Sequence, residues 1–265
     1  MEKILSEERL NLQKGIIYGP VKSRRLGYSL GINISPEEIK LCSLNCAYCQ
    51  YSWTGLLTKD GESFRKILPT ADEVKKSLTS FAKKANKEKQ HIDFLTFSGN
   101  GEPTLHPEFS RIVDYVLKIS EVFESKPKIA CLSNSTTLDK KEIFESLQKI
   151  DEPIMKLDAG NEKTFRLLNR PASKIDYEGI VANLVRFNGN LTIQTLFVEG
   201  EIDNTKEFEL ESYVQKLKLI KPKLIQIYSL DRPPAYKRIE KVSQKKLNQI
   251  KQFLIRELNL NVVVY

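Results

Sequence analysis

Three cysteines within eight residues constrain this chain more than any other feature. The stretch Lys40-Leu-Cys-Ser-Leu-Asn-Cys-Ala-Tyr-Cys-Gln50 sets Cys42, Cys46 and Cys49 at the spacing C-x3-C-x2-C, and the chain holds only one further cysteine. Thiolate is the soft ligand taken by iron–sulfur clusters and zinc, and grouped cysteines in a long intracellular chain point to metal. The count of three matters. A structural zinc site takes four protein ligands, and a cubane that only shuttles electrons has all its irons held by cysteine. Three thiolates leave one iron open to a small molecule, and an open position marks a catalytic metal. The alternatives are weaker. A zinc site completed by Cys131, His91 or His106 would not bring its ligands in close pairs. A disulfide framework does not suit four cysteines in 265 residues with no apolar secretory leader. Cys131, in the apolar run Ile129–Leu132, reads as an inert buried thiol.

The length allows one large core or two small ones, and α/β barrels commonly occupy it. No apolar run approaches the length needed to cross a bilayer, so the expectation is a soluble, cytoplasmic protein without a membrane partner. Net charge is +8, from 42 basic and 34 acidic residues. The excess is uneven: Asp231–Tyr265 holds eight basic residues against three acidic ones. Such a face can meet RNA phosphate or an acidic electron donor, or can be a solvated helix face.

Hydrophobic periodicity alternates between strand and helix along the chain. Tyr28–Ile34 reads as the first strand and leads straight into the cysteine loop. Thr70-Ala-Asp-Glu73 is a capping box that opens a helix carrying Val74, Leu78 and Phe81. Further strands are read at 91–98, 128–133, 153–158, 191–198 and 223–229. Helices are read near 109–117, 138–150, 162–168, 176–187, 205–219 and 243–258, and 261–264 forms a closing strand. This alternation predicts βαβ units and an α/β fold, a partial (βα)6 TIM-type barrel on a parallel sheet. The expected domains are an N-terminal arm (1–14), a core (15–235), and a basic helix with the last strand packed on that core (236–265). In such folds chemistry sits at the carboxyl ends of strands, and the cysteine loop falls at one.

Thr96–Pro107 follows the second predicted strand and contains Gly99-Asn-Gly-Glu-Pro103. Alone, such a turn is a weak signal, since its glycines permit positive φ and Glu102 can simply cap the next helix. Together with the cysteine loop, and with Tyr48 just before the last cysteine, it resembles the radical S-adenosylmethionine (SAM) superfamily. Asn100 stands where the commoner form has the first glycine of a Gly-Gly pair. Gly19–Gly27, Leu157–Gly160 with Asn169–Pro171, and Tyr228–Pro234 extend the resemblance from about Gly15 to Pro234. The branch is the one that includes the wyosine-type tRNA synthetases, with a more distant similarity to pyruvate formate-lyase activating enzymes.

The resemblance implies a [4Fe–4S] cluster on Cys42, Cys46 and Cys49, with SAM on its open iron. It also implies an oxidoreductase-type radical enzyme supplied with electrons by flavodoxin or ferredoxin. It places Tyr48, Gly99, Asn100, Gly101, Glu102, Ser133 and Asn134 among the SAM contacts. Lys156 and Asp158, two apart on a strand, share a face. The resemblance sets them against the SAM carboxylate and ribose, and a structural Lys–Asp pair is the other reading. Gln194 and Gln226 are candidates to line the substrate space. Arg24, Arg25 and Arg232 are candidate anion contacts, with surface basics as the alternative for the first two. RNA, a protein glycyl residue or a small molecule are the open substrate classes. A non-catalytic metal-binding module is the rival reading.

Overall fold

The computed structural model describes residues 10–265; the front of the expected N-terminal arm, residues 1–9, lies outside the described residues. The main elements in chain order are β1 (Ile17–Ser23), β2 (Gly27–Ile32), α1 (Ala71–Lys87), β3 (Phe94–Phe97), α2 (Phe109–Ser120), β4 (Lys128–Ser133), α3 (Lys141–Gln148) and β5 (Glu152–Lys156). They continue as α4 (Glu162–Asn169), α5 (Tyr177–Val185), β6 (Thr192–Leu196), α6 (Glu207–Ile220), β7 (Leu224–Tyr228), α7 (Gln244–Leu258) and β8 (Val262–Val264). The chain divides into two compact units. The N-terminal unit holds Leu12–Ser43 and Thr58–Ile154, and the C-terminal unit holds Leu44–Leu57 and Met155–Tyr265.

In the N-terminal unit the strands lie in the order β1-β2-β3-β4-β5. Strands β2, β3 and β4 are parallel, with Leu30 opposite Leu95 and Leu95 opposite Ile129. Leu30, Ile32, Leu95, Phe97 and Ile129 on these strands are buried, as strands covered on both faces require. Helix α1 buries Val74 and Leu78, and α2 buries Ile112, Val113 and Val116. Thr70 and Glu73 form the capping box read from the sequence. One strand departs from expectation. Residues 17–23 form β1, antiparallel to β2, with a register shift between Tyr18 and Val21 around Gly19-Pro20. A proline hides a strand from pattern reading, yet it is tolerated at a bulge on an edge strand because no ladder donor is needed there.

In the C-terminal unit the order continues from the end of β5 as β6-β7-β8. Strands β6, β7 and β8 are parallel, with Gln194 opposite Gln226 and Ile225 opposite Val262. Ile193, Ile225 and Ile227 are buried, as are Val214 and Leu217 of α6 and Leu247, Ile250 and Leu254 of α7. Because side chains alternate along a strand, Gln194 and Gln226 share the opposite face from these isoleucines. Among the described residues six strands, β2, β3, β4, β6, β7 and β8, pair in parallel, and β5 lies between β4 and β6 in the sheet order. Among the described residues no helix is long and apolar enough to cross a membrane.

Candidate functional site

In the N-terminal unit the candidate residues stand at the ends of β3 and β4. After β3 the chain turns through Gly99 and Gly101, with φ of 143° and 144°. A Cβ on Gly101 would stand 1.7 Å from the Leu41 carbonyl oxygen, so only glycine fits. This close approach carries a short parallel ladder. Leu41 N–H donates to Asn100 O (3.1 Å), and Glu102 N–H donates to Leu41 O (3.0 Å). Cys42, the next residue, is thereby fixed against the second motif.

The Asn100 side chain is fully buried. Its Nδ2 donates to Pro36 O (2.8 Å) and Gln13 O (2.9 Å), and its Oδ1 accepts from Gln13 N–H (2.7 Å). These bonds tie residue 13 and the loop around Pro36 to the motif, which a glycine at this position cannot do. Glu102 Oε1 accepts from Thr104 N–H and Oγ1–H, and its Oε2 accepts from Asn134 N–H at 2.6 Å. Burial pushes the Glu102 carboxyl above its ordinary value, against these donors. Asn134 in turn donates to Ser43 Oγ (2.9 Å) and toward Cys42 Sγ (3.5 Å). Ser133 Oγ accepts from Ser135 N–H. Cys131 is buried in β4, and burial raises its thiol pKa, which fits the packing role.

The C-terminal unit holds the rest of the loop. Asn45 N–H donates to Asn169 O (3.0 Å) and Arg170 O (3.1 Å), Ala47 N–H donates to Leu168 O (2.8 Å), and Tyr236 N–H donates to Ala47 O (2.8 Å). Ala47 anchors in an apolar cluster with Leu168, Leu196, Val198 and Leu230. A tight turn, Cys49 N–H to Cys46 O (3.1 Å), brings these two cysteines onto one bend. Burial, with Asp158 adding to it, pushes the free Cys46 thiol up to about 11.

Asp158 is the hub of the C-terminal unit's group. Its Oδ2 accepts from Tyr48 Oη–H (2.5 Å) and Asn169 Nδ2 (2.8 Å), and its Oδ1 accepts from Leu196 N–H (2.8 Å) and Lys156 Nζ (3.1 Å). Lys156 also donates to Tyr228 Oη (2.7 Å) and lies over the rings of Tyr48 and Tyr228, 5.0 and 4.8 Å from their centroids. Burial opposes its charge, but Asp158 and Tyr228 hold its pKa above the ordinary lysine value. The chain of bonds runs on from Tyr228 Oη to Gln194 Oε1 (3.3 Å), and from Gln194 Nε2 to Gln226 Oε1 (3.1 Å).

A signature described as the radical SAM superfamily matches residues 39–210, more than half of the chain. The chain belongs to the radical SAM superfamily. Among the relatives of this radical SAM chain, a UPF0026 protein of Synechocystis is 33% identical over 226 residues, 84% of this chain and 78% of that protein. A protein named GTPase Obg in Brachyspira hyodysenteriae is 28% identical over 252 residues. That match takes in 94% of this chain but only 35% of the relative, so the chain spans about a third of that protein's length. The crystal structure of a radical SAM methyltransferase from Sphaerobacter thermophilus superposes with a TM-score of 0.66 at 16% identity, covering 89% of this chain and 65% of that one. The structure of TYW1 with a lysine-pyruvate adduct bound gives 0.56 at 16% identity, covering 86% and 73%. These likenesses carry the fold: α/β, with the mostly parallel sheet of a partial TIM barrel.

Radical SAM proteins bind a [4Fe–4S] cluster and SAM, and the donor set here fits both. Three soft thiols lie in one loop whose backbone is clamped at Leu41, Asn45 and Ala47. Beside Cys46, the buried Asn169 Oδ1 has no hydrogen-bond partner, an acceptor left open for a donor that the protein does not supply. The N-terminal unit collects Cys42 with Gly99, Asn100, Gly101, Glu102, Ser133 and Asn134. The C-terminal unit collects Cys46, Cys49, Tyr48, Lys156, Asp158, Gln194 and Gln226. Arg24 and Arg25 stand apart from both groups, because they form the turn between β1 and β2. That turn is at the start of β2, whereas Cys42 follows its end, so closeness in sequence does not bring these arginines to the cysteine loop. Arg232 is half-buried in the loop after β7. Pattern reading missed Asn169 and Tyr228 as site residues. Their only signals are the Asn-Arg-Pro and Tyr-Ser-Leu-Asp-Arg-Pro stretches.

Proposed function

We propose that this chain uses Cys42, Cys46 and Cys49 to hold a [4Fe–4S] cluster that cleaves SAM reductively, and that it works in the cytoplasm on electrons from a carrier such as flavodoxin or ferredoxin. When bound, the cluster supplies one electron that breaks the S–C5′ bond of SAM and yields a 5′-deoxyadenosyl radical able to abstract hydrogen. The observation that carries this reading is the clamped loop with three thiols and no fourth: Cys131, the remaining cysteine, is packed inside β4.

The chain's own residues bind, orient and exclude water. Cys42 is aligned by the Leu41 ladder to the Gly101 turn, and Asn134 faces its sulfur. Asp158 orients Tyr48 and Asn169 toward Cys46 and holds Lys156 as a charged, nearly buried ammonium, with 15% of its side chain exposed. A buried cation of this kind suits a carboxylate such as that of a methionyl group. Gln194 and Gln226 present amides beyond it, as a polar wall for substrate. RNA is one reading of that substrate, favoured by the basic residues of the C-terminal segment.

Anaerobic reconstitution tests the reading. The protein is loaded with iron and sulfide, reduced with dithionite and mixed with SAM, and 5′-deoxyadenosine is measured by mass spectrometry. Wild type is expected to form it and Cys46→Ala is not. A loaded cluster that neither cleaves SAM nor changes its EPR spectrum on SAM addition would leave the non-catalytic metal-binding module as the better reading.

A further inference from the structure

Arg170 follows the last residue of α4. It caps α4 in the left-handed region, at φ 45° and ψ 66°, where glycine is the usual residue and a side chain carries a strain cost. Its guanidinium is braced by two rings, with Cζ 4.8 Å from the centroid of Trp53 and 4.8 Å from that of Tyr236. Nε–H donates to the Leu167 carbonyl at 3.3 Å, which fixes the plane. Arg65, Arg111, Arg166 and Arg238 each reach a carboxylate within 4.0 Å. Among the described residues Arg170 reaches none, and its Nη groups make no hydrogen bond to protein. The acid beside Tyr236 is already taken: Glu201 accepts from Tyr236 Oη–H at 2.7 Å and pairs with Arg238 at 2.8 Å.

A guanidinium with its stem tied, its faces on aromatic rings and its fork unpaired is pre-organised for two parallel hydrogen bonds to an oxyanion. Its location relates it to the chemistry. The Arg170 carbonyl accepts from Asn45 N–H inside the cysteine loop, and the adjacent Asn169 has Nδ2 3.4 Å from Cys46 Sγ. We propose that Arg170, braced by Trp53 and Tyr236, is an anchor for a carboxylate or phosphate group of the substrate. The inference relies on the proposed radical chemistry only for calling the bound molecule a substrate; the anion site itself does not depend on it.

Trp53 is the single tryptophan of the chain, so its emission reports directly on this guanidinium. The cluster-loaded protein is titrated with inorganic phosphate and, separately, with succinate. Ionic strength is held constant with potassium chloride, and calorimetry on the same samples gives an independent binding constant. A saturable response to at least one anion is expected, weakened about tenfold or more in Arg170→Gln, as loss of a charge-assisted pair requires. Arg170→Lys, which keeps the charge without the fork, is expected to fall between the two. A response to phosphate assigns a phosphoryl-bearing substrate, and one to succinate assigns a carboxylate. No saturable response to either anion, or the same constant in Arg170→Gln, overturns the anchor. Deoxyadenosine formation and the EPR response to SAM are measured in parallel: absence of both with anion binding intact sinks the radical reading alone.

Discussion

Asn169 lies within hydrogen-bonding distance of three acceptors through one nitrogen: Asp158 Oδ2 (2.8 Å), Tyr48 Oη (3.2 Å) and Cys46 Sγ (3.4 Å). The Asp158 carboxylate settles which way the amide points, since the reverse orientation would set two oxygens against each other. With Cys46 as the proposed cluster ligand, a donor facing its sulfur stabilises the more negative, reduced state and so raises the potential. Asn169→Ala should therefore lower the cluster midpoint by on the order of 50 mV, taking ~1 kcal/mol for the bond and one electron transferred. An EPR-monitored redox titration reads this, and an unchanged midpoint would discard the assignment. Glu102 sets a second residue-scale expectation. Its folded pKa is raised by burial above the ordinary 4.5, so the stability it contributes is full below that value and is lost as pH rises through the folded pKa. Glu102→Gln removes this titration. It also turns an amide donor toward Asn134 N–H or Thr104, at a cost of about 1–3 kcal/mol. Urea unfolding at pH 5 and pH 8 should show a larger loss at pH 5; an equal loss at both would mean that Glu102 does not titrate in this window.

At the scale of elements, the turn after β3 and the short strand Leu41–Cys42 form one device. Gly101→Ala would drive a methyl into the Leu41 carbonyl, 1.7 Å away, and break the ladder that sets Cys42. The expected result is loss of iron from the purified protein together with a clear fall in melting temperature. Thr70→Ala is the contrasting change. It removes the α1 cap, for about 1 kcal/mol, and should leave iron content untouched. If Gly101→Ala retained full iron, the ladder would have no part in positioning Cys42. The contrast also explains what was legible beforehand. Caps, helix stripes and apolar strands are local signals, so α1, α2 and strands β2 to β8 could be read from spacing. The cysteine loop and the Gly-Asn-Gly-Glu-Pro turn carry their chemistry in residue type. Asn169, Tyr228 and the bracing of Arg170 depend on which loops meet after folding, and no sequence period records that. Strand β1 was hidden by Gly19-Pro20, and with it the fact that Arg24 and Arg25 sit at the wrong end of β2.

For the whole molecule, net charge gives a weaker argument for RNA than the sequence count implies. The eight basic residues of the last 35 positions include several already engaged: Arg238 with Glu201 at 2.8 Å, Arg256 with Glu257 at 3.1 Å, and Lys241 4.0 Å from Asp231. On α7, Lys245 is exposed and Lys246 and Lys251 are half-buried, and none of the three is in an ion pair among the described residues. Long-range attraction to a polyanion depends on charge that is not locally cancelled, and each phosphate neutralised on a single strand contributes about −0.7 to the slope of log K against log salt. With Arg232 and Lys237, which are in no ion pair among the described residues either, five basic residues are available and predict a slope of about −3.5 for transfer RNA binding, measured by filter retention across potassium chloride concentrations. Lys245→Glu should flatten it further, since it removes one contact and adds a repulsion. A slope of about −5 or steeper would mean that RNA pulls Arg238, Lys241 and Arg256 away from their acids. The C-terminal segment would then be a true RNA face, and the anion at Arg170 would be sought among backbone phosphates. A shallow slope with phosphate or succinate still bound at Arg170 directs the search to small anionic metabolites or peptide carboxylates.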